Sequence, residues 1–463
     1  MVARKCKRLR PEDGTPPVRL RTELRKESKL LSPAIPRQTS ERGVIVSKNG
    51  LPRKPLTRRR LKNLILNVLK NPFNMVVLVS LIILFCLIII PLLTMISSTF
   101  TLAQGELRRV QGHVGDFTLY YWKYILTGTM ANAVLWGPLK NSFVCGFFTV
   151  LVSVPLGSVL AWLMIRTDIP GKKVLGLLVT VPYMIPSWTK ALAWLAMFRN
   201  STSGANGFLA GMGIPIPDWL AYGPIAIVLC MSMHYYAFSY IMVSGALRSI
   251  NSELEEMGEI QGASKPLILR KITLPLVLPA MLSAVILTFS KAIGTFGTIN
   301  YLGSPVQYYT LSSQLYMNSK SQNTQTAFAM AILMIIIASI AVFINQKLIG
   351  SRKSYATIGG KGGRSTLIGL GKVGKPVITV VLLAFFAVGI IMPIVILILE
   401  SCMLKEGIYS LENFTLHYWI GDPDPKIMEG MPGIFQNEDF INSLLNSLRL
   451  TLVNGVFGTI FGQ

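Results

Sequence analysis

The sequence predicts an all-α polytopic membrane protein, on three observations. The 463 residues are 51% hydrophobic and only 14% charged, with a mean hydropathy of +0.51, too apolar for a soluble surface. Apolar segments of about 20 residues, the length that crosses a hydrocarbon core, recur near 76–96, 141–165, 174–198, 223–247, 276–299, 326–347, 377–399 and 443–463. The polar stretches between them alternate in charge, as expected when Lys and Arg stay on one side of a bilayer.

The first 72 residues carry 20 Lys and Arg against 5 Asp and Glu, which is +15 of the chain's +24. Proline-rich and poor in apolar residues, they cannot bury enough surface to fold alone, so a disordered basic tail is expected over 1–72. Its clusters at Arg4, Lys5, Lys7, Arg8, Arg10 and at Arg53, Lys54, Arg58, Arg59, Arg60, Lys62 suit anionic lipid headgroups, at about 1 kcal/mol per charge. No aromatic residues interleave to stack bases, so nucleic acid is not an expected partner. No early apolar core precedes the run beginning near Met75, so the first span serves as its own insertion signal.

Seven cations from Lys347 to Lys375 occur without an acid, whereas 400–442 has eight acids and two lysines. The first belongs to a cytoplasmic linker over 351–375 and the second to an outer loop. Alternation then puts the N-terminus, 166–173 and 248–275 in the cytoplasm, and 97–140, 199–222 and 300–325 outside. Five scattered cysteines, Cys6, Cys86, Cys145, Cys230 and Cys402, form neither a disulfide framework nor a zinc spacing.

Between the fourth and fifth spans lies a polar, helix-forming stretch with Glu255, Glu256, Gly258, Gly262 and Ala263, followed by Ile272, Leu274, Pro275 and Pro279. Ser252 and Glu255 have the spacing of a capping box, and Lys265-Pro266 reads as a stop, which predicts a helix of about three turns. Glu253, Glu255, Glu256 and Glu259 would make it an acidic knob, and Leu274-Pro275 with Pro279 would open the next span on a rigid bend. It is either a docking element or a solvated connector.

An internal repeat is the second strong signal. Ile88-Ile89-Ile90-Pro91 matches Gly389-Ile390-Ile391-Met392-Pro393, Phe117-Thr118-Leu119 matches Phe414-Thr415-Leu416, and Asn141-Ser142 matches Asn446-Ser447, at offsets of 302, 297 and 305. Six spans separate the copies, an even number, so the repeats are parallel. A first six-helix half over 73–350 and the start of a second over 376–463 follow. Gln463 lies inside an apolar run, so the second half reads as truncated.

The spacing Glu256, five residues, Gly262, nine residues, Ile272-x-Leu274-Pro275 resembles the EAA coupling loop of permease subunits from binding-protein-dependent ABC importers. The paired halves, with Arg166-x-Asp168-Ile169-Pro170-Gly171 and Gly294-Thr295-Phe296-Gly297, resemble the fused iron(III)-type branch. What the resemblance implies is a type I ABC importer permease fold with coupling loop 251–279. It also implies a separate ABC ATPase homodimer holding ATP and Mg, an extracytoplasmic solute-binding protein, and a cell-membrane location. The implied cargo is iron(III), or aminoethylphosphonate, a polyamine or thiamine. At the position where the family has Glu-Ala-Ala, this chain has Glu256-Met257-Gly258, and Gly costs roughly 1 kcal/mol inside a helix.

Charged residues within spans are functional candidates. Lys190 and Lys291 either face a translocation path, favouring an anionic passenger, or extend to the outer headgroups. His234 either contacts a metal ion or is ordinary packing, and Gly294 and Gly297 either mark an interrupted helix or a simple exit. The chain has no G-x-x-x-x-G-K-[ST] run, so it is expected to bind no cofactor, to hold no catalytic or metal site, and to draw energy from a partner. The rival class is an ion-coupled secondary transporter, which would call for acids at mid-span. Glu400, at a helix end, is the nearest to one.

Overall fold

The chain is α-helical in the computed structural model, which describes residues 72–107, 109–321, 323–350 and 367–462. The basic tail expected over 1–72, apart from Pro72, and most of the linker expected over 351–375 lie outside the described residues. The chain divides into two units after Ile83. In the first, the described residues from Pro72 are helical and exposed. In chain order the main elements are α1 (Pro72–Ser98), α2 (Tyr120–Thr127), α3 (Asn132–Arg166), α4 (Lys172–Met184), α5 (Ser187–Phe198), α6 (Gly223–Ser249), α7 (Ser252–Ile260), α8 (Lys265–Gly294), α9 (Gly297–Gly303), α10 (Leu311–Lys320), α11 (Thr324–Gly350), α12 (Gly371–Glu400) and α13 (Glu438–Gly462). Among the described residues extended pairing is confined to three isolated bridges.

Among the described residues six helices are long and apolar enough to cross a membrane: α1, α3, α6, α8, α11 and α12. Three of the eight expected spans differ. The third, expected whole over 174–198, is split into α4 and α5 because Ile185 and Pro186 are extended; Pro186 has no N–H to return to the Pro182 carbonyl. The eighth forms α13, but Asn446, Arg449 and Asn454 dilute its apolar run and its described side chains are exposed. The fifth runs over 265–294 rather than 276–299, breaks at Thr295-Phe296 and resumes as α9.

Four π turns occur among the described residues, at Phe85–Ile89, Asn132–Trp136, Leu269–Thr273 and Ala387–Ile391. Each ends two residues before a proline: Pro91, Pro138, Pro275 and Pro393. A proline cannot donate to the carbonyl four residues back, and its ring crowds it. Widening the turn lets the residue before the proline donate to the carbonyl five back, as from Gly137 to Asn132 and from Leu274 to Leu269, without breaking the helix.

The core joins α3, α4, α6 and α12 through Ala161, Val179, Tyr236, Ala237 and Phe386. A Cβ on Gly157 would strike the Tyr236 carbonyl and Ser239, so glycine lets α3 and α6 cross at backbone contact. The two segments matched in sequence share their local geometry. Both copies run from a π turn through a nine-residue helix, Ile90–Ser98 or Met392–Glu400, into a hairpin bridged by Thr101 and Phe117 or by Met403 and Phe414. Thr118 N donates to Phe100 O at 2.8 Å and Thr415 N to Cys402 O at 2.7 Å; Leu102 N donates to Asp116 O and Leu404 N to Asn413 O, both at 2.9 Å. Trp122 Nε1 donates to Thr99 Oγ1 at 3.1 Å, and Trp419 Nε1 to Ser401 Oγ at 3.3 Å.

Candidate functional site

The expected loop forms α7, with three corrections. Its N-cap is Asn251, whose side chain accepts from Glu253 N at 3.2 Å, so the expected capping box of Ser252 and Glu255 is not the cap. Pro266 sits in the first turn of α8 instead of stopping α7, where its missing N–H costs nothing; α7 ends at Ile260, with Gly262 at φ +83° making the left-handed turn. Glu255 points inward, away from the acidic knob.

Glu255 is the centre of a buried link. Its Oε2 lies 3.0 Å from Nη1 of Arg166, the last residue of α3, whose side chain is 2% exposed. Arg166 Nη2 also donates to the Leu247 carbonyl of α6 at 3.3 Å. Thr273 of α8 donates its hydroxyl to Glu255 Oε1 at 2.7 Å. One short helix is thereby fastened to three membrane helices. Gly258 is buried, where a Cβ would lie 3.2 Å from Ile272 and 3.3 Å from Ile268, so these isoleucines occupy the space an alanine would need. Glu256 is exposed, as are Leu274 and Pro275, and Ala263 is half-buried. The outward face, read from the sequence as acidic, also carries an apolar stripe: Leu254, Met257 and Ile260, the last 85% exposed.

Beside this link, the 166–173 turn is strapped to the entry of α12. Ile368 N donates to Arg166 O at 2.7 Å, Leu370 N to Asp168 Oδ1 at 2.9 Å, and Lys375 Nζ lies 2.5 Å from Asp168 Oδ2. The Lys375 ammonium, then the Leu370 N–H, hold the Asp168 carboxyl below its ordinary pKa.

Toward the other end, the two helix breaks meet. A Cβ on Gly297 would fall 2.5 Å from Trp188 Cβ, and Thr298 donates to the Ser187 carbonyl at 3.0 Å. Lys190 Nζ donates to the orphaned Pro182 carbonyl and lies 2.7 Å from His234 Nδ1. When Lys190 is an ammonium, which only donates, Nδ1 is the acceptor in this contact. Tyr183 lies against His234 (5.9 Å) and stacks on Phe238 (5.6 Å), and Lys291 Nζ lies 5.5 Å over the Phe238 ring. Lys190 and His234 thus meet directly, Gly297 packs on Trp188 at the facing break, Lys291 meets the Phe238 ring instead, and a Cβ on Gly294 would meet open space. Among the described residues no group of His, Cys, Asp and Glu has metal-holding geometry.

Residues 153–355 match the family described as "Binding-protein-dependent transport system inner membrane component". The probable sulfate transport system permease protein of Marchantia polymorpha is 26% identical over 249 residues, 52% of this chain and 83% of that one. The molybdenum transport system permease protein of Escherichia coli is 26% identical over 220 residues, 46% of this chain and 93% of its own. A crystal structure of a bacterial ABC transporter that imports the acidic polysaccharide alginate has the same fold, with a TM-score of 0.50 at 18% identity, covering 64% of this chain and 100% of that one.

Proposed function

We propose that this chain, whose residues 153–355 match the family of binding-protein-dependent transport system inner membrane components, is the multi-pass permease of an ATP-driven importer that works by alternating access. Two halves, 73–350 and 376–463, are fused in it. The helix α7 docks into a groove of a separate ABC ATPase homodimer, an outer solute-binding protein delivers the cargo, and the chain itself hydrolyses no ATP. The observation that carries this reading is the buried bond set of Arg166, Glu255, Thr273 and the Leu247 carbonyl. A displacement of α7 is transmitted through it to α3, α6 and α8.

The cargo we assign is a small divalent oxyanion of the sulfate and molybdate kind. The relatives named above carry those anions by name, and Lys190 and Lys291 favour an anion. Iron(III), the cargo implied by the resemblance, gains no support from them. The ion-coupled alternative lacks its expected acids: Glu400, already bound by the Tyr409 hydroxyl at 2.5 Å, is the sole carboxylate in the described spans.

The test is a cysteine crosslink in native membranes between position 257 and the co-expressed ATPase, with Glu256→Ala as control. A crosslink whose yield changes with ATP supports the reading. Its absence, with the permease inserted and the ATPase present, returns the ion-coupled carrier to first place.

A further inference from the structure

We infer that Lys190, held beside His234, forms an oxyanion-binding station inside the membrane, where the split span α4–α5 meets the broken end of α8; the inference rests on the oxyanion cargo proposed above. Three observations carry it. The first is a charge imbalance. A charge within a bilayer is costly unless paired, yet Lys190 has no carboxylate partner among the described ion pairs, and α3 to α6, α8 and α12 contain none except Glu400, which the Tyr409 hydroxyl already binds. A passing anion supplies the missing countercharge.

The second is donor arithmetic. An ammonium has three N–H donors; Lys190 gives one to the Pro182 carbonyl and one to His234 Nδ1. It has no third hydrogen-bond partner among the described residues, and Lys190 borders the cleft lined by Pro182, Ile185, Trp194, Met233 and Pro393. Neither present partner is a charge, so an oxyanion competes for the ammonium with only neutral acceptors, and charge-assisted bonds are roughly twice as strong as neutral ones. The third is geometry. Pro186 creates the orphan carbonyl that parks Lys190 when the station is empty, and Thr295 and Gly297, at the facing break, sit beside it through Tyr235 (Oη to Thr295 Oγ1, 2.7 Å) and Trp188. Irregular backbone at this depth exposes polar groups only where protein or a hydrophilic passenger satisfies them.

The chain has three histidines, so the ring nitrogens of His234 can be assigned by comparison with His234→Gln. The probe is sodium sulfate or molybdate, added to the ¹⁵N-histidine-labelled full chain in lipid nanodiscs, with chloride at matched ionic strength as control. Uptake per ATP hydrolysed is measured in parallel on the assembled transporter. The expected result is a saturable shift of His234 Nδ1 with either oxyanion and not with chloride, absent in Lys190→Met and restored in part by Lys190→Arg. Uptake per ATP falls at least tenfold in Lys190→Met. If Lys190 merely plugs the Pro182 carbonyl, the Nδ1 signal ignores oxyanions and uptake and hydrolysis fall together, which overturns the inference while wild-type oxyanion uptake keeps the cargo assignment. If the wild-type transporter imports neither oxyanion, the cargo assignment fails and the station falls with it.

Discussion

Glu255→Ala removes the carboxylate that fastens α7 to the membrane helices. Unit charges 3.0 Å apart attract by about 5 kcal/mol at an effective dielectric of 20. Desolvation of the two ions offsets most of that, so the intact pair contributes little net stability. Breaking it is different. Arg166 is 1% exposed and would keep only the Leu247 carbonyl, so the single variant should lose about 3–5 kcal/mol, the usual cost of stranding a buried charge. Arg166→Met with Glu255→Leu strands nothing and should recover most of that loss. Reversible unfolding in mixed micelles, followed by circular dichroism, measures both. A Glu255→Ala cost below about 1 kcal/mol, or a double variant whose loss equals the sum of the two singles, would refute the link as drawn.

Two further outcomes follow from the same end of the molecule. Ile260→Glu places a charge on the exposed apolar stripe of α7 and should abolish co-purification of the ATPase at unchanged permease stability, because truncated or charged hot-spot side chains at an interface cost 2 kcal/mol or more, roughly thirtyfold in affinity; retention of the ATPase would show that the stripe is not the docking face. The strap at Asp168 should be pH-sensitive in one direction. Its carboxyl is held below the ordinary value by Lys375, so the strap is fully formed above the unfolded carboxylate pKa of about 3.9 and is lost only as pH falls through the lower folded value. Spin labels at 171 and 372 should keep one sharp separation at neutral and mildly acidic pH, and Asp168→Asn should broaden it at every pH.

What was legible in the sequence is what depends on composition and local period. Six spans, the short helix α7 and the likeness between the segments near Pro91 and Pro393 all come from patterns a few residues to a few turns long. The third span was read as whole because a hydropathy window averages across Ile185-Pro186, although the spacing of Pro182 and Pro186 was the signal of a break: the second proline strands the carbonyl of the first. Ser252 and Glu255 have the spacing of a capping box and so mask Asn251 as the cap, and nothing local reveals that Glu255 is claimed by an arginine 89 positions earlier. A lone Arg closing an otherwise apolar run, as at Arg166, was the available hint. The meeting of Lys190 with His234 was likewise invisible, since it depends on how α5 crosses α6.

The two candidate sites share one element. At its start α8 holds Glu255 through Thr273; near its end it carries Lys291 over Phe238, and Thr295, one residue beyond it, meets the Tyr235 hydroxyl. From Leu274 to Gly294 it rises about 31 Å at 1.5 Å per residue. A tilt of about 10° at the π turn before Pro275, where the regular ladder is already interrupted, would carry the far end about 5 Å, enough to open or close the contacts around the break. Spatial continuity alone does not establish coupling; a shared two-state element does, and it has a signature. If α8 is that element, Glu255→Ala and Lys190→Arg perturb the same transition, and their effects on uptake per ATP hydrolysed combine to less than the product of the two single effects. If the effects multiply independently, α7 reaches the break by some other route, and the bonds at Thr273 serve only to seat the coupling helix.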